Sequence, residues 1–288
     1  MRLTLGPLQY FWPREQVLGL YRAAAAWPVD VIYLGETVCS KRRELHTRDW
    51  ITLAEELAGS GREVVLSTLA LVEAESELSS LTRLIDDGRF RIEANDMSAV
   101  QLLRERGVPF IGGPTLNVYN HATLRLLRED GLRRLVLGVE HGRASLEEFR
   151  ASGEPLPEIE IAAWGRLPLA YSARCFTARA LDLAKDDCTF RCIEHPDGLP
   201  LASREGSPFL TINGVQLQTA GDCDLGPELD ELRAAGVDLV RLYPQAEGMA
   251  TVVGRFREAL DGGTLPARAG EENGDWHGTA GMQCVTPT

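Results

Sequence analysis

The chain has 288 residues, 44% of them hydrophobic and 25% charged, with a formal net charge of −12. Such a composition is ordinary for a globular protein with a sizeable core. The acidic balance argues against a general nucleic-acid binder, which neutralises phosphates with Lys and Arg, although CSKRREL (Cys39 to Leu45) leaves room for a local basic pocket. No segment approaches the ~20 apolar residues that cross a bilayer. The opening MRLTLGPLQYFWPREQ lacks the basic start, apolar stretch and cleavage site of a signal peptide, so the expected location is cytoplasmic.

Short runs rich in Val, Ile and Leu begin near Leu3 and at Val29, Glu63, Arg89, Val108, Arg134, Glu158 and Val237. Their length and β-branched content fit strands buried on both faces. Between them lie stretches with helical spacing, among them TRDWITLAEELAGSG, ESELSSLTRLIDDG, MSAVQLLRERG and ATLRLLREDG. Each ends at or near a glycine, where a helix C-terminus prefers one. Eight strands alternating with helices predict an α/β fold of the (β/α)8 TIM-like barrel type, as one domain over residues 1–262. A doubly wound open sheet is the alternative, weakened because no G-x-G-x-x-G follows the first strand.

The alternation breaks once, over residues 171–226, after the seventh strand and on the face where barrels carry their active sites. This insertion contains the Asn213-Gly214 step between two alternating runs, a hairpin signal. It also holds Cys175, Cys188 and Cys192 in YSARCFTARALDLAKDDCTFRC. The tail, 263–288, is Gly-rich and polar, with Trp276 and His277 expected to pack part of it on the barrel.

Reduced cytosolic thiols in such a cluster are more often metal-binding or catalytic than disulfide-bonded. Cys188 and Cys192 are spaced for a tight turn, and Cys175 could reach the same point from a short helix, FTARALDLAKDD. A fourth ligand must come from elsewhere. Cys39, just beyond the second strand on the same face, is the best placed; Cys223 is a substitute, and Cys284 in the tail is the poorest. An iron–sulfur cluster and a four-thiolate zinc site both suit this set, and three buried cysteines with no metal remain the plain alternative.

The quartet of Cys39 and C-x12-C-x3-C, in the settings VDVIYLGETVCSKRREL and YSARCFTARA, resembles the collagenase-like peptidase family of unassigned catalytic type. LTLGPLQYFWPREQV, GPTLNVYNHATLRLL and NGDWHGTAGM extend the likeness over essentially the whole chain. It is strongest with short members that lack a long C-terminal extension and serve oxygen-independent ubiquinone biosynthesis. The resemblance implies a [4Fe–4S] cluster on Cys39, Cys175, Cys188 and Cys192, a heterodimer with UbiU and cooperation with a UbiT-type lipid carrier protein. It further implies hydroxylation of the aromatic ring of ubiquinone precursors without O2, with prephenate as oxygen donor and this chain as an obligate subunit. A peptidase or nucleic-acid hydroxylation factor of the same family is one alternative, and a zinc-stabilised scaffold without activity is another. Neither a G-x-S-x-G elbow nor an H-E-x-x-H motif is present to support proteolysis.

Other residues fall at strand ends: Glu36 after the second, Asn117, Tyr119 and His121 after the fifth, Glu140 and His141 after the sixth. For the last pair a capped helix start at EHGRAS is an equal reading. Asn120 reads as a helix N-cap, Tyr171 as a packed tyrosine next to the thiols, and Asp187 and His195 as solvent-facing.

Overall fold

The computed structural model describes residues 1–184, 187–266 and 271–285. Seven parallel strands come first: β1 (Arg2–Leu5), β2 (Val31–Leu34), β3 (Glu63–Ser67), β4 (Arg91–Ala94), β5 (Phe110–Gly112), β6 (Leu132–Val136) and β7 (Glu158–Gly165). The eighth barrel strand, β13 (Leu239–Leu242), runs parallel between β7 and β1, and the β6–β7 pairing closes the ring. All eight expected strands are present, in a (β/α)8 barrel.

The surrounding helices are α1 (Arg14–Ala24), α2 (Thr47–Ala58), α3 (Glu75–Asp86), α4 (Met97–Glu105), α5 (His121–Glu129), α6 (Arg143–Ala151) and, after the insertion, α8 (Leu229–Ala234) and α9 (Met249–Leu260). Each buries one stripe against the sheet; in α2 it is Trp50, Leu53, Ala54 and Leu57, at the spacing of one helix face. Caps fix the entries: Asp96 accepts from Ser98 N at 2.8 Å, and Asn120 from Thr123 N at 2.9 Å, as its N-cap reading required.

Alternation sends the other side chains into the barrel, where charges replace much of the usual branched aliphatic filling. Arg241 on β13 meets Glu93 on β4 at 2.7 Å and Glu160 on β7 at 2.8 Å, with all three side chains essentially inaccessible. Thr4 and Tyr33 donate to Glu160, Ser67 donates to Glu93, and the Arg241 guanidinium lies 4.2 Å from the Tyr33 ring centre. One layer further down, Arg134 bridges Glu63 and Glu158 at 3.0 Å each. Burial pushes the Glu160 carboxyl up, but Arg241 and Arg134 outweigh it and hold it below the usual range.

The apolar run after Glu158 divides in two. Gly165, at φ +102°, turns the chain out of the barrel, and β8 (Pro168–Tyr171) enters a separate sheet. That antiparallel sheet has the order β8, β11 (Gln216–Thr219), β10 (Pro208–Asn213), β9 (Leu199–Ala202). A two-residue turn at Gly214 and Val215 joins β10 to β11, the hairpin expected from Asn213-Gly214. A short strand, β12 (Cys223–Asp224), then pairs antiparallel with β7. In the tail, Trp276 is buried, its carbonyl accepts from Arg143 N at 3.1 Å, and Asn273 donates to Glu228 at 2.7 Å. The tail positions 267–270 and 286–288 lie outside the described residues. No described helix is long and apolar enough to cross a membrane.

Candidate functional site

The small sheet lies over the C-terminal mouth of the barrel with its polar side inward. Thr211, Asn213, Gln216 and Gln218 are buried on that side, while Leu199, Leu201, Leu210 and Leu217 on the other are half-buried or exposed. The inward amides are held by the loop after β1. Asn213 Nδ2 donates to Gln9 O at 2.9 Å, and Gln218 Nε2 to Gln9 Oε1 at 2.7 Å. Gln216 Nε2 donates to the Tyr171 hydroxyl at 2.7 Å, so Tyr171 is locked in the lid.

The loop after β2 is shaped by Glu36. Its Oε1 accepts from Val38 N at 2.9 Å and Cys39 N at 3.0 Å, a tight turn that sets the position of Cys39. Three residues on, Arg42 turns inward and has 1% of its side chain exposed. Its Nη1 donates to Gln9 O at 2.6 Å and its Nη2 to Asn213 Oδ1 at 2.7 Å, while Glu36 Oε1 lies 3.6 Å away. Arg42 Nε is buried with no hydrogen-bond acceptor. The hairpin tip accommodates this guanidinium only because residue 214 is glycine. Its φ is +65°, and a Cβ there would fall 2.8 Å from Arg42 Nη2.

The same tip seats the first thiol of the insertion. Gly214 O accepts from Phe176 N at 2.8 Å and Thr177 N at 3.2 Å, and Gly214 N donates to Thr177 Oγ1 at 2.9 Å. These bonds pin the start of α7 (Phe176–Ala180), of which Cys175 is the N-cap, its Sγ accepting from Ala178 N at 3.4 Å. The helix is shorter than FTARALDLAKDD suggested: Asp182 already has φ +54°, and Lys185 and Asp186 lie outside the described residues. Cys192 sits in a single 3-10 turn, Arg191–Glu194, entered through the left-handed pair Thr189 and Phe190. Cys188 precedes that pair and is half-buried.

Cys39 and Cys192 therefore share one electrostatic neighbourhood with Arg42, and each also interacts with Cys175. Burial pushes the Cys39 thiol up to about 11 and the Cys192 thiol upward. Arg42 opposes the shift at both, and Cys175 and Glu36 reinforce it. Left alone, the Cys39 and Cys192 thiols resist ionisation, and a metal that takes them as thiolates would supply the positive charge they lack. Among the described residues, no three His, Cys, Asp or Glu side chains are grouped to hold a single metal ion. Cys223 is buried beside Asp224, Glu228, Glu272 and Asp275, away from this group, and Cys284 is exposed in the tail.

The other sequence candidates do not join the thiols. His141 is buried with Nε2 3.0 Å from Val118 O and Nδ1 3.2 Å from Gly138 O, between the rings of Tyr119 and Phe149. Asn117, His121, Glu140 and Asp187 are exposed, and His195 is half-buried instead of solvent-facing. Arg42, Gln9, Asn213 and Gln216 were not singled out for the site by sequence. Three basic residues follow Ser40, and only the turn made by Glu36 decides that the middle one goes inside.

The sequence pattern of Peptidase family U32 matches residues 18–275. The tRNA hydroxylation protein P of Escherichia coli (strain K12) is 28% identical over 182 residues, an alignment covering 59% of this chain and 40% of that protein. The aligned part of this chain thus spans well under half the length of that relative. Among solved structures, the U32 peptidase Mk0906 superposes with a TM-score of 0.45 at 13% identity, covering 86% of this chain and 94% of that one. A putative dihydrodipicolinate synthetase from Pseudomonas aeruginosa gives 0.48 at 11% identity, over 91% and 77%.

Proposed function

The chain belongs to peptidase family U32, and on that premise we propose that it is an iron–sulfur subunit of an oxygen-independent hydroxylase, the counterpart of UbiV. In this reading Cys39, Cys175, Cys188 and Cys192 hold a [4Fe–4S] cluster. The chain works as a heterodimer with UbiU and with a UbiT-type lipid carrier, on the aromatic ring of a ubiquinone precursor with prephenate as oxygen donor. The supporting observation is that Cys39 and Cys192, from separate segments, lie beside one buried arginine at the barrel mouth and that each also interacts with Cys175. Zinc fits less well because its four-thiolate sites usually comprise two tight pairs, and this set has one close pair, Cys188 and Cys192.

The cluster, when bound, supplies one-electron transfer, since four thiolates leave its irons no open position. The protein's own groups do the rest. Glu36 fixes the Cys39 turn, Gly214 fixes the start of α7, and Arg42 places a cation that offsets thiolate charge. The inward amides of the small sheet tie it to the Gln9 loop over the barrel mouth. Anaerobic purification with iron, sulfide and zinc analysis tests the reading: iron and sulfide in equal amounts, lost together in Cys39→Ser and Cys192→Ser, are expected. Zinc without sulfide would overturn it.

A second reading, action on tRNA, rests on the 28% identity to a protein named for tRNA hydroxylation. The net charge of −12 weighs against it. Retention of tRNA at physiological salt would favour it over the ubiquinone reading.

A further inference from the structure

The insertion, residues 166–222 with 185 and 186 outside the described residues, joins the barrel at a two-strand neck. Its two ends leave side by side, because Gly165 and Cys223 are antiparallel partners where β12 runs along β7. Beyond the neck, insertion and barrel meet without a shared core. Of the insertion's buried apolar residues only Leu167, next to the neck, belongs to the hydrophobic core of the barrel; Ala178, Ile212 and Val215 do not. Among the described residues its one ion pair, Arg191 with Glu194, is internal, and Arg42 pairs with Glu36 on its own loop. The seam is held instead by directional polar contacts. Besides the bonds that tie Asn213 and Gln218 to Gln9 and Arg42, Trp12 Nε1 donates to Pro196 O at 2.6 Å and Ala246 N to Asp197 Oδ1 at 2.8 Å. The rings of Phe11 and Phe190, with centres 6.3 Å apart, add an aromatic contact. Such a seam parts at small cost, since released amides and carbonyls are rehydrated and no core is opened to water.

We propose that the insertion is a lid that swings as one body about the neck at Gly165 and Cys223, and that the thiol quartet is its clasp. The four cysteines are divided across the seam. Cys39 stands on the barrel, after β2, while Cys175, Cys188 and Cys192 stand on the lid. A group held by all four therefore ties lid to barrel, and its loss leaves the hydrogen bonds of the seam to hold the mouth shut. The sidedness of the small sheet suits the motion. Thr211, Gln216 and Gln218 on its underside can meet water when the lid lifts, where an apolar underside would resist. Entry to the barrel mouth, where barrels carry their chemistry, is thereby governed by a metal that need not touch what enters. The clasp rests on the cluster reading above; the hinged body rests on the neck and the seam alone.

Amide hydrogen exchange of the full chain, read by mass spectrometry with iron and sulfide bound and after their removal, tests both parts. Removal is expected to speed exchange at residues 7–12, the loop beneath the lid, by about tenfold, while β10, β11 and the barrel strands keep their protection. Cys39→Ser, which leaves three thiols on the lid, should exchange as the metal-free chain does. Gln218→Ala takes one bond from the seam and no thiol, so it should speed residues 7–12 further in the metal-free chain and leave the loaded chain unchanged. Unfolding curves establish that each variant is folded. Equal exchange at residues 7–12 with and without the metal would overturn the clasp. Exchange of β10 and β11 together with that loop would overturn the hinged body, since the lid would then be melting. A chain purified anaerobically without iron or sulfide would end the cluster reading alone. Cadmium, which bridges thiols, is then the probe: protection of residues 7–12 by cadmium in the native chain and not in Cys39→Ser is expected, and no protection in either removes the clasp.

Discussion

Two buried arginines divide this molecule between support and chemistry. Arg241, inside the barrel, faces two carboxylates and an aromatic ring contributed by three other strands, so its charge is balanced within the scaffold. Arg42, at the mouth, is equally inaccessible but meets a backbone carbonyl, an amide oxygen and a distant carboxylate. Each leaves one nitrogen without an acceptor, Arg241 Nη2 and Arg42 Nε, but it is Arg42 that has thiols beside it. A balanced buried ion pair holds structure in register, whereas an under-balanced buried cation sits where negative charge is going to arrive.

The contrast breaks most sharply at Arg241. Arg241→Met strands Glu93 and Glu160 in the interior and should cost about 3–5 kcal/mol in denaturant unfolding. The same network sets the acid limit. Because the folded pKa of Glu160 is depressed, its contribution is full above the unfolded value near 4.5 and is lost as pH falls through the lower folded value. Stability of the native chain should therefore drop below about pH 4, and Glu160→Gln, itself destabilised, should show a shallower acid limb in unfolding measured against pH.

Arg42→Met removes two charge-assisted hydrogen bonds and should cost about 2–3 kcal/mol. It should also lower the reduction potential of a bound cluster, read by redox titration, because a nearby cation favours the more negative reduced form; Arg42→Lys should restore most of the potential. Asn120→Ala, a cap remote from both arginines, should cost about 1 kcal/mol without touching metal content. Smallest in stability is Cys192→Ser, expected within about 1 kcal/mol of the native chain when both are metal-free, yet with iron and sulfide lost. A large stability loss there would place Cys192 with the scaffold.

The barrel was legible because each strand is a short apolar run bounded by helical spacing, and the insertion because it interrupts that rhythm. Its start was not, since EIEIAAWGRLPLAYS reads as one strand and only the backbone at Gly165 divides it. The charged interior left a signal in the alternation of EIEIA and RFRIEA, where charges at every second position resemble a solvated face. Nothing in a β-sequence says which face meets water, so the small sheet, polar inward and apolar outward, could not be read in advance. Cys39 was matched to the insertion from its place at a strand end. Arg42 was hidden among three adjacent basic residues.

The hydrogen bond from Asn213 to Gln9 joins residues 204 positions apart. Gln9 follows the opening strand of the barrel, and Asn213 arrives only when six further barrel strands and most of the insertion have been made. Order of assembly follows from that distance: a nascent chain carries Cys39 early, but the pocket that presents it beside Cys175 and Cys192 does not exist until the ring has closed and the hairpin has docked. On the proposed reading, uptake of metal is then a late event, reserved for chains that have already folded.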